Sequence, residues 1–202
     1  MSKFKKHGMV TLFICLCLMA GGCGRHHASV EDHTSQNTHG QSNAHRQDED
    51  EEEKQDDTFP GTYTVPDGWV KADEHSTDQK FFYVKKGHEH DTQPDNISIN
   101  VGKNRYSADE HEDFKEAIVS QLAMQIGNSG AALDAYAAKT KQGDILYVFT
   151  ITEDRGIVTK QYYVIGDRRY CLIQLTNYSG SDAVTDAADE MAESFVWEDA
   201  DN

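Results

Sequence analysis

Histidine is the residue most able to do chemistry in this chain, and its ten copies are unevenly placed. Five lie in one polar stretch: His26 and His27, then His33, His39 and His45 at a fixed spacing of six. Imidazole is a common ligand for borderline metals, so such a tract could take up zinc or copper. The spacing opposes a single preformed site. Six extended residues separate neighbouring imidazoles by ~20 Å, whereas zinc–nitrogen bonds are ~2 Å, so chelation would require the chain to loop. Weak, multiple sites are the form such binding would take; the alternative is a soluble spacer whose charge changes near the imidazole pKa of about 6.5. A denser cluster follows in His88-Glu89-His90-Asp91. In extended chain His88 and His90 would share a side, and His75 or Asp91 could complete a zinc or copper site. No CxxC or HExxH accompanies them, so a solvated hairpin loop is the competing reading. His111 is expected at a polar helix start, facing solvent.

Cysteine raises a different chemistry. Lys3, Lys5 and Lys6 precede an apolar run over residues 9–20, which as a helix would measure roughly 18 Å against a hydrocarbon core of about 30 Å. Too short to span, it reads as an export signal. Its end, Leu18-Met19-Ala20-Gly21-Gly22-Cys23, resembles bacterial lipoprotein signal peptides. The resemblance implies cleavage after Gly22 and a diacylated Cys23 as the first mature residue. Ala20 departs from the leucine commonest at that position, and a plain secretory peptide cleaved near Ala20 is the rival. Cys15 and Cys17 would leave with the signal, so Cys171 would be a lone thiol without a disulfide framework. In Tyr170-Cys171-Leu172-Ile173 it reads as a small buried hydrophobe.

Other reactive signatures are missing. There is no GxSxG elbow, P-loop, HExxH or GxGxxG, and Ser129 in Gly127-Asn128-Ser129-Gly130 reads as part of a helix stop. The expectation is a protein that is not an enzyme.

Composition, together with what the lipoprotein resemblance implies, predicts three parts: residues 1–22, the implied lipoprotein signal; 23–58, the implied lipidated cysteine and a histidine- and acid-rich tether; and 59–202, one globular domain. Val30 is the only large apolar residue between 25 and 58, too little to offset ordering entropy, so the tether is expected to be disordered. Asp48 to Glu53 is an unbroken acidic run within it. The whole chain carries −16. From residue 59 onward 25 acidic residues face 13 basic ones, a net −12. Such a surface repels nucleic acid and anionic headgroups, and permits basic proteins and cations as partners.

The elements that must position these residues follow from periodicity. Strands are expected at 62–65, 80–86 and 97–101, the last alternating Ile97, Ile99 and Val101 with polar residues. Ser107 and Glu110 form a capping box ahead of a helix with Phe114, Ile118 and Leu122 at helical spacing, closed by Gly127. A weaker strand at 131–140 precedes strands at 145–151, 157–165 and 168–176. The first of these three, apolar on both faces, is expected at the centre of the sheet. A second helix, 181–195, aligns Val184, Ala187, Ala188, Met191 and Phe195. Antiparallel strands with two amphipathic helices predict an α+β fold, a sheet flanked by helices on both faces.

With Val65-Pro66-Asp67-Gly68-Trp69, Asn96-Ile97-Ser98-Ile99 and Phe195-Val196-Trp197 in place, this order of elements resembles the PsbP-like fold. That superfamily includes an extrinsic subunit of the oxygen-evolving complex and an import factor that binds the Ran GTPase. The resemblance implies an α/β/α sandwich serving as an adaptor or accessory subunit; no functional residue carries over. The combined expectation is a lipoprotein on the extracytoplasmic side of a cell membrane, held by its lipid anchor, binding an envelope protein and no nucleic acid. Metal capture by the tether histidines is the alternative, and Tyr178 and Trp197 are candidates for an exposed docking patch.

Overall fold

Strict alternation along the strands decides how this chain closes. The computed structural model describes residues 59–198; the export signal, Cys23 and the five tether histidines lie outside them. In chain order the elements are β1 (Gly61–Thr62), β2 (Trp69–Lys71), a 3-10 turn at Asp73–His75, β3 (Lys80–Lys85) and β4 (Asn96–Lys103). A 3-10 turn at Ala108–Glu110 leads into α1 (His111–Ile126). Then come β5 (Ala132–Lys139), β6 (Ile145–Thr152), β7 (Val158–Gly166), β8 (Arg169–Asn177), α2 (Asp182–Glu193) and β9 (Val196–Trp197). Seven strands make one antiparallel sheet in the order β2-β3-β4-β8-β7-β6-β5, while β1 and β9 pair separately.

Register sorts the side chains between two faces. Ile97, Ile99, Leu146, Val148, Tyr162, Val164, Cys171, Ile173 and Leu175 lie on one face, and α2 covers them with Val184, Ala187, Ala188, Met191 and Ala192. These helix positions recur at three and four residues, which is why one stripe of α2 is buried. The opposite face carries Tyr147, Phe149, Tyr163 and Tyr170. The Phe114 ring of α1 sits there, 5.6 Å from Tyr163 and 5.5 Å from Tyr170. Ile118 and Leu122 are buried along the same helix. Each such side chain contributes about 2 kcal/mol of transfer free energy. The expected sheet with a helix on each face is therefore the observed architecture. Among the described residues no helix is long and apolar enough to cross a membrane.

Two local expectations need correction. The strand 145–151 is covered on both faces but is not central: β8 holds the middle, with β6 one place from the edge. Its apolar faces reflect a helix on each side of the sheet, not its rank in the order. The strand expected at 62–65 is only the two residues of β1, because Gly61 and Thr62 find partners in Trp197 and Val196 and the next residues find none in a sheet. Trp69 begins β2, paired with Lys85, an edge strand the periodicity did not mark. The capping box does form: Glu110 Oε2 accepts the Ser107 N–H at 2.8 Å and its hydroxyl at 2.9 Å.

Candidate functional site

His88 and His90 do not share a side. β3 stops at Lys85, and Gly87 adopts φ +88°, a left-handed conformation that glycine reaches without steric cost. The chain turns there instead of extending, which sends the two imidazoles into different clefts. His88 lines a cleft of about 540 Å³ with Lys85, Asp91, Asp95 and Tyr178. Its Nδ1 lies 2.7 Å from Asp91 Oδ2, an exposed pair. His90 lines a second cleft of about 410 Å³ with Asp73, Glu74, His75 and Glu89. Hydrogen bonds from its own backbone N–H and that of Gly87 hold the Glu89 carboxyl below its usual range, with smaller help from His90 and His88. His75 thus joins His90, and Asp91 joins His88. Among the described residues, no three His, Cys, Asp or Glu side chains converge as a metal-holding group.

The position of this loop depends on a residue the motifs do not mark. Asp95 Oδ1 accepts the backbone N–H of Tyr178 at 2.8 Å and of Ser179 at 2.9 Å, tying the β3–β4 loop to the β8–α2 loop. Nothing local in the sequence links residues so far apart. Tyr178 is half-buried in the resulting wall, and burial raises its phenol pKa first, Glu153 second. It does not stand out as an exposed patch. Neither does Trp197: its indole N–H donates to the Ile165 carbonyl at 3.2 Å, its ring meets Phe195, and the Arg169 guanidinium lies 4.2 Å from the ring centroid.

Two further candidates are placed by the fold. Cys171 is fully buried in the sheet, and burial pushes its thiol pKa well up, as expected of an inert hydrophobe. His111 is not a free solvent-facing group. It is half-buried, its Nδ1 2.7 Å from the Tyr147 hydroxyl, because α1 begins directly over β6.

Sequence reasoning missed the polar cluster at the seam of β7 and α2. Lys160 Nζ donates to Asp189 Oδ1 at 3.0 Å, and the Tyr162 hydroxyl donates to the same oxygen. Lys160 also lies 5.1 Å from the Tyr162 ring centroid. Burial raises the Tyr162 pKa first, with Asp189, Tyr136 and Asp186 adding to it. A signal was present. Lys160 shares the inward phase of Tyr162 and Val164, and a lysine in that phase needs a carboxylate partner.

The two edges of the sheet differ sharply. β2 is three residues long. β5 is eight residues long and pairs with β6 without interruption, from Ala132↔Thr152 to Lys139↔Ile145. Six of its eight residues are exposed, and Tyr136 keeps 51 % of its surface in solvent. Among the described residues its outer side has no strand partner.

No family model matches the chain, and no curated protein does. Among solved structures, it is similar to the solution structure of cyanobacterial PsbP (CyanoP) from Synechocystis sp. PCC 6803. That similarity has 15 % identity and a TM-score of 0.42 over 69 % of this chain and 87 % of the other. A crystal structure from Bacteroides thetaiotaomicron is similar at 12 % identity and TM-score 0.38, over 70 % of this chain and 46 % of that one.

Proposed function

We propose that this chain is a membrane-anchored envelope lipoprotein whose PsbP-like domain is a non-catalytic accessory module for an envelope protein. Residues 18–23 supply the anchor in this reading, with Cys23 as the lipid carrier. The observation that carries the binding role is the contrast between the sheet edges. Natural sheets keep their edges short, bulged or covered, because an open edge invites another strand. Here β2 is short, whereas β5 is long and exposed on both faces. Tethering to a membrane then raises the local concentration of such a surface.

The test is photo-crosslinking of the full chain in intact envelopes, with the reactive group placed in turn at His88, Met124, Tyr136 and Glu190. One discrete heavy adduct at any of these positions is the expected result; no adduct at any position overturns the reading. The anchor is tested separately. Cys23→Ser is expected to move the protein from the membrane to the soluble fraction.

The histidine series His26, His27, His33, His39 and His45 favours a second reading, metal capture by the tether. Zinc and copper titration calorimetry on soluble forms starting at Gly24 and at Phe59 separates the two. Uptake by the longer form alone supports tether capture. Uptake by both points to His88 and His90, and uptake by neither removes the metal reading.

A further inference from the structure

The exposed side of β5 has a definite chemical character. By register, Asp134, Tyr136 and Ala138 stand opposite Thr150, Val148 and Leu146, on the face that α2 covers. Leu133, Ala135 and Ala137 stand on the other face, opposite Ile151, Phe149 and Tyr147. A strand added outside β5 would therefore meet an acidic and aromatic row on one face and a small apolar row on the other.

α2 carries an acidic row of its own. Its outward residues Asp182, Asp186, Glu190 and Glu193 recur at four, four and three residues and are all exposed. Among the ion pairs of the described residues, α2 contributes only Asp189, leaving those four carboxylates without a cation. The end of α2 is fixed beside the β5–β6 turn, where the Lys141 N–H donates to the Glu193 carbonyl at 2.8 Å. Further along, the Tyr162 hydroxyl donates to Asp189 Oδ1, and Tyr162, Val148 and Tyr136 stand in one cross-strand row that runs from the α2 seam to the edge strand.

We infer that β5 and the acidic flank of α2 form a docking surface for an extended basic segment of a partner protein, which adds to the sheet as an eighth strand. This rests on the binding-module reading above and names the surface and the chemistry of the partner. Strand addition supplies backbone hydrogen bonds, and alternate side chains supply the selectivity. The matching segment alternates Lys or Arg toward Asp134 and α2 with small apolar residues toward Ala135 and Ala137. Charge selects against a second copy of this chain. Antiparallel pairing of two β5 strands about a two-fold axis normal to the sheet would put both acidic flanks on the same face, in domains that each carry −12.

The probe is a synthetic peptide of alternating lysine and valine, compared with a glutamate–valine counterpart and with a peptide in which the lysines and valines are in separate blocks. Binding to the full chain is followed by calorimetry and by amide hydrogen exchange. The alternating basic peptide is expected to bind at least about tenfold more tightly than either control, more weakly as salt rises, and to protect amides of residues 132–139. Asp186→Lys with Glu190→Lys, both exposed and outside the core, is expected to cost about tenfold in affinity while leaving the unfolding midpoint unchanged. Tyr136→Lys, which charges the edge, is expected to lower binding independently. Equal binding of the block peptide, protection elsewhere than β5, or concentration-dependent dimers protecting β5 without peptide would each overturn the proposal. A crosslinked adduct at His88 or Met124 together with failure of the peptide would leave the binding-module reading intact and remove only this surface.

Discussion

Lys160 and Asp189 meet at 3.0 Å across the seam between β7 and α2, and the Tyr162 hydroxyl donates to the same carboxylate oxygen. The lysine side chain is 11 % exposed and the aspartate 37 %. One partner is therefore nearly dry while the other still touches water. Loss of the carboxylate strands a buried ammonium and a buried hydroxyl. Loss of the ammonium strands only a half-solvated carboxylate.

Asp189→Ala is accordingly expected to destabilise the domain by about 2 kcal/mol, at the lower end for a buried pair because Asp189 retains solvent. Lys160→Met keeps the apolar stem and is expected to cost less than about 1 kcal/mol. Urea unfolding midpoints check both. Equal losses from the two variants would contradict the asymmetry.

Gly102 faces Tyr170 across β4 and β8, and the tyrosine ring lies over the glycine. A Cβ at this position would fall well inside van der Waals contact with the ring. The ring is held by Phe114 and Tyr163 and has little room to give way. Gly102→Ala is expected to cost about 2 kcal/mol, and the Gly102→Ala, Tyr170→Leu pair to recover part of it. Thermal unfolding of the two variants and the pair tests this.

Alkaline pH should weaken the fold. Tyr63, Tyr162 and Tyr163 all hold their protons above the ordinary tyrosine range, first because burial penalises the phenolate. Tyr63 also shares a 2.7 Å hydrogen bond with Tyr83. Below a pH of about 10 both folded and unfolded chains keep these protons, and the contribution to stability is complete. Above it the unfolded chain releases them and the folded chain does not, so stability falls by about 1.4 kcal/mol per pH unit for each of Tyr162 and Tyr163, and by less for Tyr63, which water partly screens. Urea midpoints measured from about pH 8 to about pH 11 should drop steeply beyond about pH 10, and Tyr162→Phe should make the drop shallower. A flat profile would contradict the burial argument.

The start of α1 should respond to its cap. Ser107→Ala removes one of the two bonds to Glu110 Oε2, and Glu110→Ala removes both. Losses of about 0.5 and about 1 kcal/mol are expected, read as shifts in the urea midpoint. A larger effect from Ser107 than from Glu110 would place the cap elsewhere.

Local pattern determined much of this protein. The Ser107–Glu110 cap, the α1 stripe, the α2 stripe and the strands around Ile97, Val148, Val164 and Ile173 are legible because each depends on neighbours within a few residues, where the periods of helix and strand operate. The two-faced cover of the sheet followed from those same stripes, since each must be buried against something. Long-range pairing decided the rest. β8 at the centre and β5 at the edge are consequences of which strands meet across tens of residues, and no local period encodes that. His88 parted from His90 because Gly87 turns the chain and Asp95 fastens the loop to Tyr178 and Ser179. Lys160 found Asp189 only when α2 settled on β7, and the edge position of β5 among the described residues exists only once the other described strands have taken their partners.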